Sequence, residues 1–192
     1  DDDKVYGQAG RTGHKRGDQD GDQPFLPVFD IPGGHDGRDG TTADQLISLA
    51  GALELLGEDI SDTDRQAWDS AIDRAADFSL ERFGAGRSNI NYIPTAAVGL
   101  VLAHRAVVSP QDAWLEKARE LIAYIASQVN EDNLIVGEGK GVDLGYNIAQ
   151  SIGFIAWYGI LVDAPETVDL AASLLKTHMV FMYPNGAIDN SW

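Results

Sequence analysis

Residue types suited to holding a sugar recur at the boundaries between segments of this chain. They are His35, Asp36 and Arg38 in GGHDGRDG, Asn89, Asn91 and Tyr92 in SNINY, and Glu138, Lys140 and Asp143 in VGEGKGVD. Tyr146 and Asn147 follow at once in LGYN, and Asp189, Asn190 and Trp192 fall in IDNSW. Aromatic rings stack on the apolar face of a pyranose, while amides, carboxylates and cationic groups hydrogen bond to its hydroxyls. Glu138, Asp143 and Asp189 could also furnish the paired carboxylates of glycoside hydrolysis. Each Asn or Asp ahead of a helix has a plainer reading as an N-cap, and Tyr146 one as an aromatic plug at a helix head.

These residues meet only if the elements between them bring the boundaries to one place. Thr42 caps a helix through ADQLISLAGALELLG, with Leu46, Leu49, Ala50 and Leu53 on one face and Gly57 as its stop. From Asp62 to Phe83, Trp68, Ile72, Ala75, Ser79 and Phe83 recur at offsets 0, 4, 7, 11 and 15. An apolar helix follows from near Tyr92 through PTAAVGLVLAHRAVV, and Ser109-Pro110 caps a two-faced one. There Trp114, Ala118, Leu121, Ile125 and Val129 occupy the same five offsets as Trp68 and its followers. A third pair joins GYNIAQSIGFIAWYGILV, apolar nearly all round, to APETVDLAASLLKTHMVFM, with Val168, Ala172, Leu175 and Met179 inward and Pro165 in the first turn.

An apolar helix thus alternates with a half-exposed one three times, the signature of helical-hairpin repeats of roughly 40 to 50 residues. The expected fold is all-α: a partial (α/α) toroid of three hairpins over 41–192, preceded by an irregular lead-in over 1–40. The opening Asp1-Asp2-Asp3-Lys4 resembles the tail of a cleavage tag. Gly99, Gly153 and Gly159 inside the apolar helices imply close helix approach, since each costs about 1 kcal/mol relative to Ala. Links from apolar to two-faced helices are short, and the return links are long. All long links then open on one rim, where loops over a rigid scaffold carry function. Helix N-termini pointing into that space favour an anionic substituent on the ligand. Tyr92, Tyr146 and Trp192 stand at three successive helix entrances, so the ring is expected to be completed by a further C-terminal portion or by a second copy.

Composition narrows the partners. A formal charge of −16 opposes nucleic acid and anionic membrane surfaces. There is no cysteine, so thiolate metal sites are excluded. No apolar run reaches the roughly 20 residues that span a bilayer. Asp18, Asp20 and Asp22 resemble the start of a calcium loop, but Gln23 stands where that loop needs glycine and Phe29 where it needs glutamate. An EF-hand is excluded, and only a looser calcium site remains open there. No metal-ligand spacing occurs elsewhere, and no cofactor is expected. His104 and His178 read as packed or capping residues. Hydrolase-elbow, P-loop and dinucleotide fingerprints are absent.

The stretches NLIVGEGKGVDLGYNIAQSIGFIAWYGIL and HMVFMYPNGAIDNSW resemble the helical toroid domain of heparinase II/III-like polysaccharide lyases. The likeness runs from about Asn89 to Trp192 and does not extend before Thr41. It implies a secreted or periplasmic enzyme cleaving uronic-acid glycans by β-elimination, within a cleft that a C-terminal β-sandwich completes. It also implies roles: Tyr146 or His35 as base, Asn147 as the group that neutralises the uronate carboxylate, and Arg38 as a further rim candidate. The Asn–His pair of several such lyases has no counterpart visible in the sequence. A glycoside hydrolase on the same toroid and a non-catalytic helical-repeat binding module are the competing readings.

Overall fold

The computed structural model describes residues 38–57, 59–138 and 141–188. His35, Lys140, Asp189, Asn190, Trp192 and the acidic run Asp18, Asp20 and Asp22 lie outside the described residues, as do the side chains of Arg38 and Glu138. Among the described residues the chain is all-α apart from one small hairpin. Helix α1 spans Arg38–Leu56, α2 Asp62–Arg82, α3 Tyr92–Ala106 and α4 Asp112–Ser127. Strands β1 (Val136–Glu138) and β2 (Gly141–Val142) then pair antiparallel. A short turn α5 (Leu144–Tyr146) runs through a π-helical stretch, Asn147–Ser151, into α6 (Ile152–Leu161). Helix α7 (Pro165–His178) ends in a 3-10 turn, Met179–Phe181.

Local chemistry explains most boundaries. Gly57 takes a left-handed φ of 54° and stops α1. Ser61 caps α2 by accepting from the Asp64 backbone N–H. Helix α3 is apolar all round because it is enclosed, with Ile93, Leu100 and Ala103 fully buried. It packs between α1 on one side and α6 on the other. Helix α2 packs against α1, α3 and α4, and α7 against α6. The apolar helices α1, α3 and α6 therefore stand side by side in chain order, each packed against the amphipathic helix that follows it.

The inward faces of α2 and α4 match the sequence periodicity: Ile72, Ala75, Ser79 and Phe83, then Trp114, Ala118, Leu121 and Ile125, are buried. Trp114 Nε1 also donates to Asp77 at 3.1 Å, tying α4 to α2. Arg65 donates to the Ala106 carbonyl at 2.8 Å and so closes the C-terminus of α3.

Four local expectations are corrected. The buried face of α7 is Thr167, Ala171, Leu174 and His178, one residue before the expected Val168, Ala172, Leu175 and Met179. Gln111, not Ser109-Pro110, precedes α4, and its side chain makes no capping bond. Helix α1 starts four residues ahead of Thr42. Helix α6 is not buried all round: Gly153, Trp157 and Ile160 are exposed along one stripe. Phe154 stacks beside Trp157 with ring centroids 6.1 Å apart.

Candidate functional site

The long links meet at the end of the array where α1, α3 and α5 begin. The Gly40 backbone at the start of α1 lies so close to the Tyr92 ring that an added Cβ would stand 2.5 Å from it. The α2–α3 link reaches the end of α4, where Gly86 N–H donates to the Tyr124 hydroxyl at 3.2 Å. It also lies against β1, with the Ile90 side chain 3.5 Å from a Cβ built on Gly137. Asn133, in a left-handed conformation at φ 59°, donates to Thr177 Oγ1 at 2.7 Å and to the Ser173 carbonyl at 3.0 Å. That pins the α4–β1 link to the end of α7.

Of the candidates singled out in the sequence, the structure gathers Asn91, Tyr92, Asp143, Tyr146 and Asn147 at this rim. Asp143 has the plain role, since its carboxylate accepts from the Tyr146 backbone N–H at 2.8 Å and caps α5. Tyr146 is 48 % exposed, so it does not plug the helix head. Tyr92 is half-buried against Gly40.

Asn147 differs from its neighbour in almost every respect. It is 1 % exposed, and both N–H groups of its carboxamide are engaged. One is donated to the Ile135 carbonyl at 3.1 Å and the other faces His178 Nε2 at 3.3 Å. His178 is itself fully buried, with Nδ1 2.8 Å from the Leu174 carbonyl. A carbonyl only accepts, so Nδ1 carries the proton and Nε2 is left to accept from Asn147. Turning the amide over would set its oxygen against the Ile135 carbonyl. The result is a brace from the β1 approach through Asn147 to α7, which fixes the head of α6 and leaves Asn147 no N–H for an anion. An Asn–His contact therefore exists here, between residues 31 positions apart. The buried His178 fits the packed role expected of it.

Asn91 departs from the capping role open to it. It occupies the N-cap position of α3, yet its side chain makes no capping bond. Its Nδ2 donates instead to Gln150 Oε1 across the α3–α6 boundary. Gln150 was not among the sequence candidates. The signal was present, however, as one polar dipeptide, Gln150-Ser151, inside an otherwise apolar helical run. The π-helical stretch that carries it has one extra residue in the turn, a local departure frequent at functional sites. Among the described residues no group of His, Asp or Glu side chains is arranged to hold a metal ion, and no helix is long and apolar enough to cross a membrane.

The family model of the ulvan lyase N-terminal domain matches residues 35–192, from just before α1 through the last hairpin. The chain belongs to that polysaccharide lyase family. The match starts well ahead of Asn89, so the relationship covers all three hairpins. The chain is also similar to a broad-specificity ulvan lyase of Formosa agariphila, with 29% identity over 166 residues. That alignment takes in 80% of this chain and 26% of the relative, so the chain spans about a quarter of the length of that enzyme. No solved structure matches the chain. Family membership supports the polysaccharide lyase resemblance read from the sequence, at the level of an ulvan lyase N-terminal domain.

Proposed function

We propose that this chain is the substrate-facing helical domain of a polysaccharide lyase that cleaves uronic-acid glycans by β-elimination, with ulvan as the first substrate to try. The observation that carries the reading is Tyr146: a half-exposed tyrosine at the rim where the long links converge, on a backbone held rigid by the Asp143 cap and the Asn147–His178 brace. In the proposed step the deprotonated Tyr146 oxygen takes the proton on C5 of the uronate. The freed electron pair passes through the enolate of the carboxylate. The C4–O bond then breaks as the C4–C5 double bond forms, and the leaving oxygen recovers a proton from Tyr146. Rigid positioning of one acid–base group serves both transfers. Asn147 acts by holding the Tyr146 backbone in register, since its N–H groups are committed elsewhere.

Architecturally, we read the hairpins as an arc of an (α/α) toroid of the heparinase II/III-like kind. The side-by-side order α1, α3, α6 supports this, and the open apolar stripe Gly153, Trp157 and Ile160 on α6 suits a further helix from the same polypeptide or a second copy. A glycan-degrading role fits a secreted or periplasmic enzyme. Against the hydrolase alternative, Asp143 spends its carboxylate on a helix cap. His35, Arg38, Lys140, Asp189, Asn190 and Trp192 remain proposed contributors to the same rim.

Incubation with ulvan and other uronate polymers tests the reading. A rise in ultraviolet absorbance from the conjugated unsaturated uronate is expected. New reducing ends without that rise would make the protein a hydrolase, and binding with neither signal would make it a non-catalytic module.

A further inference from the structure

We propose that Arg87 and Lys117 form an anion-binding subsite at the α2–α3 link, which holds a carboxylate or sulfate ester on a sugar other than the one being cleaved. It rests on the acidic-glycan substrate proposed above and adds a second hold on the same polymer, built from residues outside the rim candidates read from the sequence.

A polyanion approaching this chain meets a formal charge of −16. The overall field repels it, and only a local concentration of positive charge reverses that. Arg65 and Arg105 do not supply it at the rim. They lie at the opposite end of the array, where Arg65 donates to the Ala106 carbonyl and Arg105 pairs with Glu54.

The α2–α3 link is different. A Cβ built on Gly84 would stand 3.6 Å from Lys117 Nζ and 3.7 Å from Arg87 Cδ, and apart from its chain neighbours it would meet nothing else within 4 Å. Two cationic side chains, one from the link and one from α4, thus converge on a residue with no side chain to hold them apart. The frame beneath them is fixed. Gly86 N–H donates to the Tyr124 hydroxyl of α4 at 3.2 Å, and Arg87 N–H donates to the Gly84 carbonyl at 3.1 Å.

Like charges brought together repel, and more strongly where one of them is withdrawn from water. The Lys117 side chain is only 13 % exposed, and its compensating partner is Glu120, with both carboxylate oxygens 3.1 Å from Nζ. Glu120 is itself 59 % exposed, so a carboxylate already stands at the solvent boundary of this pair. An ammonium has three N–H donors, and two bonds to Glu120 leave one. Arg87 is exposed, its Nη1 donates to the Glu81 carbonyl at 3.3 Å, and its side chain makes no other hydrogen bond among the described residues. The remaining N–H groups of its planar fork match the paired oxygens of a carboxylate or a sulfate. Each cation has a local role, Arg87 at the C-terminus of α2 and Lys117 in a helix-surface pair, but neither role requires the two side chains to meet.

Arg87→Gln is the decisive variant, because an exposed side chain is removed and the core is left intact. Arg74→Gln, on the exposed side of α2, removes the same charge elsewhere and measures the effect of the overall field. Binding is measured at low salt by backbone amide NMR titration with a neutral oligosaccharide and with its carboxylated and sulfated forms, and circular dichroism confirms that each variant keeps its helices. With the unchanged protein, the Gly84, Gly86 and Arg87 amide signals shift with a charged form and not with the neutral one, and the form that binds more tightly identifies the substituent. Arg87→Gln weakens that binding at least fivefold and Arg74→Gln less than twofold. Glu120→Gln strengthens it at least twofold, since the carboxylate competing for Lys117 is gone; an unchanged affinity would remove Lys117 from the subsite. If a charged form binds more tightly than the neutral one but these amide signals stay in place, or Arg87→Gln costs no more than Arg74→Gln, the subsite is overturned and the lyase reading stands. If neither charged form binds more tightly than the neutral one, the subsite and the acidic-glycan reading fall together.

Discussion

Helices α3 and α6 are similar in sequence texture and opposite in circumstance. Both are apolar with internal glycine, and both begin at the rim. Helix α3 has α1 on one side and α6 on the other, and nearly every residue is buried. Helix α6 has α3 on one side, α7 behind it, and an open stripe in which Ile160 is 69 % exposed. The glycines show the same contrast. A Cβ on Gly99 would stand 3.2 Å from Leu46 of α1, and one on Gly159 would stand 2.8 Å from Val168 of α7, whereas one on Gly153 meets nothing within 4 Å. An all-round apolar helix is thus a request for neighbours on every side, and the described residues answer it for α3 alone. What holds the head of α6 in place instead is polar: the Asn147–His178 brace and the Asn91–Gln150 contact.

The largest effect that separates the two helices is a core truncation. Leu100→Ala in α3 is expected to cost about 2–5 kcal/mol, and Ile160→Ala in α6 less than about 0.5 kcal/mol, as read from urea unfolding. Equal costs would mean that the α6 stripe is covered. Next comes the brace. Asn147→Ala strands the buried Ile135 carbonyl and His178 Nε2 together and is expected to cost about 2–4 kcal/mol. Faster amide exchange should appear over the first turns of α6 and leave α3 unchanged. The glycines then give a difference of sign. Gly99→Ala forces Leu46 to move and should destabilise by roughly 1 kcal/mol, whereas Gly153→Ala should stabilise by up to about 1 kcal/mol through helix propensity. Thermal unfolding of the two variants side by side measures it.

The smallest effect lies on α2, outside the two helices compared, and serves as a control. Burial, then the Asp69 and Asp77 carboxylates, hold the Asp73 carboxyl above the ordinary carboxylate range. The folded chain binds that proton more tightly than the unfolded one. The associated stability is therefore complete below the ordinary carboxylate value and is lost as pH rises through the raised one. Asp73→Asn should stabilise the protein at neutral pH by less than about 1 kcal/mol, a figure kept low by solvent screening. The gain should fade on acidification, as followed by unfolding at a series of pH values.

Much of the fold was legible because periodic burial is written in residue types. The two Trp-led faces of α2 and α4 could be read directly. Helix α7 could be read only to within one residue, because Leu174 and Leu175 are adjacent and hydropathy alone does not choose between them. The choice falls to packing on α6, where Gly159 lets α7 approach, and to His178, a polar residue turned inward by its bond with Asn147. The small hairpin of β1 and β2 was hidden among glycines in a stretch that read as a loop. At the rim, residue types suggested a sugar-binding surface, but the division of labour among the amides did not show. Asn147 and His178 are far apart in sequence, as are Asn91 and Gln150, and only the fold reveals which amide N–H groups are already spent.

The central claim is that Tyr146, held at the rim by these braces, is the acid–base group of an eliminase. Tyr146→Phe removes one oxygen, and kcat for release of unsaturated uronate from ulvan measures its effect. The account predicts a loss of at least a hundredfold in kcat with the affinity for the polymer changed less than threefold and the circular dichroism spectrum unchanged. A Tyr146→Phe protein that produces the ultraviolet signal at the original rate would contradict it.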